Sequence, residues 1–376
     1  MSKEKHILFM SSWYPHEGKP FLGNFVQRQA QLLSQAYQVT VVHTVSSEKH
    51  SECTLVTNST GNLKEIIVYH PQGKSVLSKS KIQKKALKLA LDQVSDVDAL
   101  LTQVILPRGW QFLAVQKKYK CPWIHLEQGS YFRPEKREQW SVIEKVIVRK
   151  ACKKISRLLA ASEFVKKDLK KVFCNRAIDV IPNHVDTTLF QPSTKAHSSE
   201  KTKFLHISTL DENTKNPLGM LEACSLLKEK VGEVFEFLII SDEPTEKWQA
   251  YVVEYGLQNI VKFDGPKAWN ELPQFYQQTD AFILNSIYET FSIVLAESWA
   301  CGTPTITTPV GIGYNLPEQL GMNTTIGNSN SMANAMSNFI EKKDQFDRDH
   351  IRLQGENYSS EKILELLTTT INQHIG

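Results

Sequence analysis

Two glutamates, Glu289 and Glu297, stand eight residues apart in the segment NSIYETFSIVLAESWACGTPTITTPVG, residues 285–311. The apolar run Ala281–Leu284 precedes them and predicts a strand, and the pattern over Ser292–Ala300 predicts a helix. A strand-to-helix turn aims unpaired backbone N–H groups and the positive end of the helix dipole at an incoming phosphate. Eight residues make a little over two helical turns, so the spacing places both carboxylates on roughly one face. Carboxylates beside a phosphate site accept hydrogen bonds from sugar hydroxyls. The same spacing also fits a glutamate favouring the helix dipole and an ordinary surface glutamate.

The elements that must carry these residues alternate along the chain. Short apolar runs predict strands at His6–Ser11, Gln38–Thr44, Glu65–His70, Asp98–Val104, Trp123–Glu127 and Arg157–Ala161. Further strands are predicted at Lys203–Ile207, Glu236–Ile240, Val261–Phe263, Ala281–Leu284 and Pro304–Thr307. Helical patterns fall between them at Phe25–Ser34, Ile82–Val94, Trp110–Lys118, Gln139–Cys152, Pro217–Lys230, Glu246–Tyr255 and Ser292–Ala300. Such alternation predicts an α/β chain with parallel, doubly wound sheets. A chain of 376 residues suits two domains. The turn-rich residues 183–188 and the polar stretch 191–200 (QPSTKAHSSE) mark the boundary between them.

Composition narrows the function classes. The apolar fraction of 41% and charged fraction of 22% are ordinary for a globular protein. No apolar run approaches the ~20 residues of a membrane span, and His6–Met10 is too short for a secretory signal. The six cysteines form no C-x-x-C pair, which argues against a disulfide framework or a zinc site and suits the cytoplasm. The net charge of +4 is uneven: residues 1–185 hold 30 Lys and Arg against 15 Asp and Glu. The first half is therefore expected near something anionic, whether a membrane surface, a phosphorylated acceptor or nucleic acid.

Residues 285–311, with their E-x7-E spacing, closely resemble the donor-site motif of glycosyltransferase family 4. The resemblance implies the GT-B fold, two Rossmann-like domains facing a central cleft. It implies that Glu289 contacts the donor sugar and Glu297 the ribose hydroxyls. Backbone N–H groups near Thr290, Phe291 and Ser292 then cradle the diphosphate. Three further segments resemble the family in the same order along the chain. Residues 11–26 (SSWYPHEGKPFLGNFV) resemble the first loop of the acceptor domain, with Gly23 as the glycine that lets backbone approach phosphate. Residues 181–190 (IPNHVDTTLF) resemble the interdomain segment, with Asn183 and Asp186 beside the cleft. Residues 206–216 (HISTLDENTKN) resemble the phosphate-clamp loop, with Lys215 as its cation. Taken singly, these residues also read as a turn glycine, a capping asparagine and a solvated lysine.

The chain departs from the family pattern at three places. Thr209 stands where many members have an arginine, and Gln128 stands where the family often has a histidine beside the reacting sugar. His125, three residues earlier, reads more simply as a buried, hydrogen-bonded histidine. Residues 241–244 (SDEP) replace a glycine-rich turn. The resemblance implies an acceptor domain over residues 1–185, a donor domain over 186–357, and a closing helix over 358–376 that returns to the first domain.

The implied chemistry is transfer of a sugar from a UDP- or GDP-sugar with retention of anomeric configuration. The leaving diphosphate takes the acceptor's proton, so Lys215, Glu289 and Gln128 are the expected catalytic residues. Fixed positive groups then replace a metal, and no cofactor is expected beyond the donor. The basic runs 79–88 (KSKIQKKALK) and 133–157 read as solvated faces or as contacts with the inner membrane surface. A polyprenyl-linked glycan acceptor in surface polysaccharide synthesis fits both charge and family, and no nucleic-acid motif accompanies the charge. Two rival readings are an inactive nucleotide-sugar-binding partner subunit, favoured by Thr209 and Gln128, and a GT-B epimerase.

Overall fold

The structure is a computed structural model that describes residues 5–193 and 200–375. Two compact units divide the chain: residues Met1–Asn183 with Ile363–Gly376, and residues His184–Lys362. Residues 194–199 of the expected linker lie outside the described residues.

The first unit is built on eight strands: β1 (His6–Ser11), β2 (Gln38–Ser46), β3 (Thr54–Thr60), β4 (Leu63–His70), β5 (Ala99–Gln103), β6 (Trp123–Glu127), β7 (Arg157–Ala160) and β8 (Ile178–Val180). Their order is β3-β4-β2-β1-β5-β6-β7-β8, parallel throughout except for the β3–β4 hairpin. β1 and β5 are buried along their whole length, as strands covered by helices on both faces must be. The second unit holds β9 (Thr202–Ile207), β10 (Phe235–Ile240), β11 (Val261–Asp264), β12 (Ala281–Leu284), β13 (Thr305–Thr307) and β14 (Gly321–Asn323). Their order is β11-β10-β9-β12-β13-β14, all parallel. In both sheets the parallel strands run so that their carboxyl ends, where such folds bind ligands, lie along one edge.

The predicted strands are all present, with shifts of one or two residues. β3 escapes prediction because its residues are almost all exposed and carry no apolar alternation. β8 and β14 are three residues long, too short for a pattern. The helix expected over Ile82–Val94 runs over Val76–Leu91, because Ser75 and Ser78 form a reciprocal cap there. The helix expected over Gln139–Cys152 runs over Val142–Lys154, opened by Ser141 and Glu144 in the same way, and a separate short helix, Pro134–Glu138, precedes it. Around the basic run 133–157, Trp140 and Ile147 face the core, whereas Val142 and Ile143 are exposed. All six cysteines are free.

The last helix, Ser360–Ile375, contributes Ile363, Leu367 and Ile371, spaced four apart, to the core of the first unit with Ile7, Phe9, Val26 and Leu33. At roughly 1.5–3 kcal/mol for each buried aliphatic side chain, these three anchor the helix firmly. The Tyr37 hydroxyl adds a 2.9 Å bond to Asn372 Oδ1.

Candidate functional site

The loop that joins β12 to the helix Ile293–Ala300 is pinned by its polar residues. Ser286 Oγ donates to Glu289 Oε1 at 2.8 Å, and Thr308 Oγ1 donates to the Ser286 carbonyl at 2.6 Å. The Ile287 amide donates to the Thr214 carbonyl at 2.7 Å, and Asn285 Nδ2 donates to the Asn216 carbonyl at 3.4 Å. These two bonds join the loop to residues 206–216, which places Lys215 Nζ in an ion pair with Glu289 Oε1. Both side chains are largely buried, at 20% and 13% exposure. Lys215 owes its position to Asn216, whose left-handed backbone (φ 49°) ends the short helix Glu212–Lys215 and caps the helix Pro217–Val231.

Ser292 adopts the left-handed conformation (φ 73°, ψ 68°), and the helix starts at Ile293. Glu289 therefore lies in the loop, so the expected placement of Glu289 and Glu297 on one helical face is corrected. A residue at φ 73° cannot continue a right-handed helix backwards to 289. The Leu295 amide donates to the Ser292 carbonyl at 3.0 Å, and the amides of Ile293 and Val294 precede any intrahelical partner, which leaves these two to a ligand or solvent. Ser292 Oγ is buried and without a hydrogen-bond partner. Gly311 packs directly behind this turn: a Cβ there would sit 2.5 Å from the Phe291 carbonyl oxygen and 2.6 Å from Ser292 Oγ. Phe291 turns its ring inward, edge-on to Tyr358 at 5.6 Å, so only its backbone can serve a ligand. Thr290 is half-buried in the same loop.

Glu297 is 3% exposed, with its carboxylate accepting from Trp269 Nε1 at 3.2 Å and from the Tyr276 hydroxyl at 3.0 Å. Burial and the adjacent Glu297 carboxylate push the Tyr276 hydroxyl well above its ordinary value, which keeps it a donor. Trp269 and Tyr276 were invisible in the sequence because they come from a separate stretch, joined to Glu297 only by the fold. Beside residues 206–216 opens a groove of about 730 Å³ lined by Thr209, Asp211, Glu243, Lys247 and Trp248, among others. Lys247, on its wall, pairs with Glu212.

Of the remaining expected residues, Gly23, Gln128 and Asn183 belong to the first unit and Asp186 to the second. Gly23 caps the helix Asn24–Leu33 at φ 69°, and a Cβ there would meet the Trp13 carbonyl carbon at 2.9 Å. Asn183 is buried, and Asp186 caps its own turn through the amides of Thr188 and Leu189. Gln128 is buried too: its Nε2 donates to Gln103 Oε1 at 2.8 Å, while its Oε1 has no partner. Gln103 in turn donates to Gln29, so the amides form a buried cluster at the carboxyl ends of β5 and β6. Glu127 holds the Gln128 turn by accepting from the amides of Ile105, Gln128 and Gly129. His125 is buried between Thr102 and Glu127. Among the described residues, no group of three His, Cys, Asp or Glu side chains is placed to hold a metal ion.

Two family models match this chain. "Glycosyltransferase Family 4" covers residues 22–189, and "Glycosyl transferases group 1" covers residues 189–350. The chain belongs to glycosyltransferase family 4. A D-inositol 3-phosphate glycosyltransferase of Paenarthrobacter aurescens is 28% identical over 200 residues, 50% of this chain and 47% of that one. An MMP alpha-(1->4)-mannosyltransferase of Mycolicibacterium hassiacum is 26% identical over 46% of this chain and 41% of its own. The chain thus matches less than half the length of these relatives. Among solved structures, a sucrose-phosphate synthase from Thermosynechococcus elongatus superposes over 98% of both chains, with TM-score 0.78 and 17% identity. HepE of Anabaena, in complex with UDP and glucose, covers 98% of this chain and 100% of its own, with TM-score 0.73 and 18% identity. The fold is of the GT-B type.

Proposed function

We propose that this family 4 member transfers a sugar from a UDP- or GDP-sugar to a glycan acceptor with retention of anomeric configuration. The observation that carries the reading is the loop Asn285–Ser292. One short segment brings together the Lys215–Glu289 pair, the first two amides of a helix and the buried Glu297. Lys215 and the helix amides would stabilise charge growing on the leaving diphosphate, where losing one such donor costs ~100-fold or more in rate. Glu289 would hold the sugar and Glu297 the ribose. Retention with proton transfer to the leaving diphosphate asks for no strong general base. The fixed positive groups would make a metal unnecessary.

The acceptor in this reading is a lipid-linked glycan of a surface polysaccharide. Exposed Val142, Ile143 and Val146 support contact with the cytoplasmic membrane face, since they share a helix with Lys145, Arg149, Lys150 and Lys153. No helix among the described residues is long and apolar enough to cross a membrane. Sedimentation with anionic vesicles should be lost on replacing Val142 and Ile143 by serine.

Thermal melting with a panel of nucleoside diphosphates and their sugars tests the donor reading. A ligand at 100 times its dissociation constant stabilises by about 2.7 kcal/mol. The expected result is a shift with one nucleotide family, abolished by Glu297→Ala or Lys215→Ala. No shift with any member refutes the donor reading. A shift without transfer or donor hydrolysis favours the inactive partner subunit, to which Thr209 and the buried Gln128 point.

A further inference from the structure

The helix Ser329–Lys342 carries amides where a solvated helix usually carries charges. Residues 329–340 (SNSMANAMSNFI) hold no charged side chain. Asn330, Asn334 and Asn338 stand four residues apart and are all exposed, while Met332, Ala335, Met336 and Phe339 fill the core on the other side. Asparagine is a poorer helix former than alanine, lysine or glutamate, because its amide competes for backbone hydrogen bonds. A face that needed only solvation would gain from those residues, so three amides in line ask for another reason.

The helix also borders a long groove in the second unit. One part, of about 1120 Å³, is lined by the three asparagines together with Gln319, Asn323 and Phe346, among others. It runs along β14, the edge strand of its sheet. A second part, of about 450 Å³, shares Asn328 and Asn330 with the first and includes Tyr255. Gln319, Asn330, Asn338 and Gln345 make no side-chain hydrogen bond to the described residues. Asn334 Oδ1 accepts from Lys230, which leaves its Nδ2 donors open. Phe346 is half-buried and stacks on Phe339 with ring centroids 5.3 Å apart.

This lining selects a class of ligand. A primary amide offers two donors and an acceptor. A sugar hydroxyl is likewise both donor and acceptor, so two neighbouring hydroxyls of a ring match one amide. The apolar face of a sugar ring packs on an aromatic ring, and Phe346 and Tyr255 supply one in each part of the groove. Four residues of helix advance ~6 Å, so the asparagines are spaced along a chain instead of converging on one small molecule. Charge excludes the other long ligands. Among the described residues, Lys342 is the only lysine or arginine on either wall, too little for a nucleic acid or an anionic membrane. Of the acids, Asp347 caps the helix Arg348–Gly355, and Glu222 accepts from Ser329 Oγ at 2.7 Å.

We propose that this groove is a carbohydrate-binding site for an uncharged oligosaccharide chain, separate from the donor loop. None of its lining residues belongs to residues 206–216 or to the segment 285–297. The proposal stands apart from the transferase reading, which adds only the source of the chain: the glycan being extended, kept close to the enzyme between transfers.

The test is isothermal calorimetry of the full chain, without nucleotide, against neutral gluco-, manno- and galacto-oligosaccharides from disaccharide to octasaccharide. At least one series should bind, more tightly as the chain lengthens and with little dependence on salt. Asn330→Ala combined with Asn338→Ala should weaken that binding about tenfold or more. Both changes favour the helix, so the melting temperature should hold or rise, and a folding defect cannot mimic the loss. The melting shift with nucleoside diphosphate should be the same in the double variant. Absence of that shift in the unaltered protein refutes the donor reading and leaves this proposal to the oligosaccharides. No binding by any series, binding only of an acidic chain such as a heparin oligosaccharide, or equal binding by the double variant overturns the proposal. Sedimentation that shows the unaltered protein paired and the double variant monomeric also overturns it, because the groove is then an interface between copies.

Discussion

The Lys215–Glu289 pair makes a quantitative prediction. At an effective dielectric constant of 20, two charges 4 Å apart attract by about 4 kcal/mol, before the cost of removing them from water. Both side chains are less than a quarter exposed, so solvent screens them only in part. A net coupling of about 2 kcal/mol is the reasonable expectation between these limits. In a unit of 150–250 residues each kcal/mol moves the melting temperature by about 2–4 °C, so the coupling amounts to about 4–8 °C. The measurement is a double-mutant cycle on thermal melting with Lys215→Met, Glu289→Gln and the double variant. Lys215→Met should cost more, because it leaves Glu289 with only the Ser286 donor described above. Glu289→Gln keeps an acceptor for the ammonium. Single effects that sum to the double within about 0.5 kcal/mol would refute the pairing.

The same pair sets opposite expectations for ligand binding. Glu289 offsets the Lys215 charge and repels phosphate, so Glu289→Gln should bind nucleoside diphosphate more tightly. Its transfer rate should nonetheless fall about 100-fold, if Glu289 orients the sugar. Lys215→Met should weaken both. Equal weakening of diphosphate binding by the two variants would show that Glu289 does not face the phosphates.

Three other perturbations follow from the geometry. Tyr276→Phe removes a donor from the buried Glu297 and should cost about 1–3 kcal/mol in melting while weakening nucleotide affinity, read by calorimetry. Gly311→Ala puts a Cβ against the Phe291 carbonyl and Ser292 Oγ at φ 55°, so a loss of at least about 2 kcal/mol and of diphosphate binding is expected. His206 is held down to about 4 by burial, so between pH 6.5 and pH 4 the unfolded chain binds a proton that the folded chain refuses. Stability therefore falls with falling pH in that window, by about 1.4 kcal/mol per unit for this group, and His43 acts in the same direction. Urea unfolding at pH 7 and pH 5 should show the loss, and His206→Gln should reduce it.

The sheets were legible because their strands are buried on both faces and read as unbroken apolar runs, such as ILFM in β1 and AFIL in β12. The elements that escaped have the opposite character. β3 is solvent-exposed, and β8 and β14 are too short to form a pattern. Lys215 and the Glu289 loop were found in sequence, and the structure joins them in one pair. Their supports were not: Ser286, Trp269, Tyr276 and Gly311 contact the site through tertiary packing that no local spacing records.

The pairing also changes what the helix start must do. A clamp with two cations could bind a diphosphate by charge alone. Here Thr209 lines the groove, Lys247 on the same groove pairs with Glu212, and Lys215 pairs with Glu289. With those lysine charges already partnered, the donor reading proposed above asks the amides that follow Ser292 to carry a larger share of phosphate recognition, and their aim depends on a left-handed serine braced by Gly311. Gly311→Ala should therefore damage diphosphate binding more than its stability cost explains. Assayed well below its melting temperature, the folded variant should bind at least about tenfold more weakly. Binding unchanged in that folded variant would return the main role to Lys215.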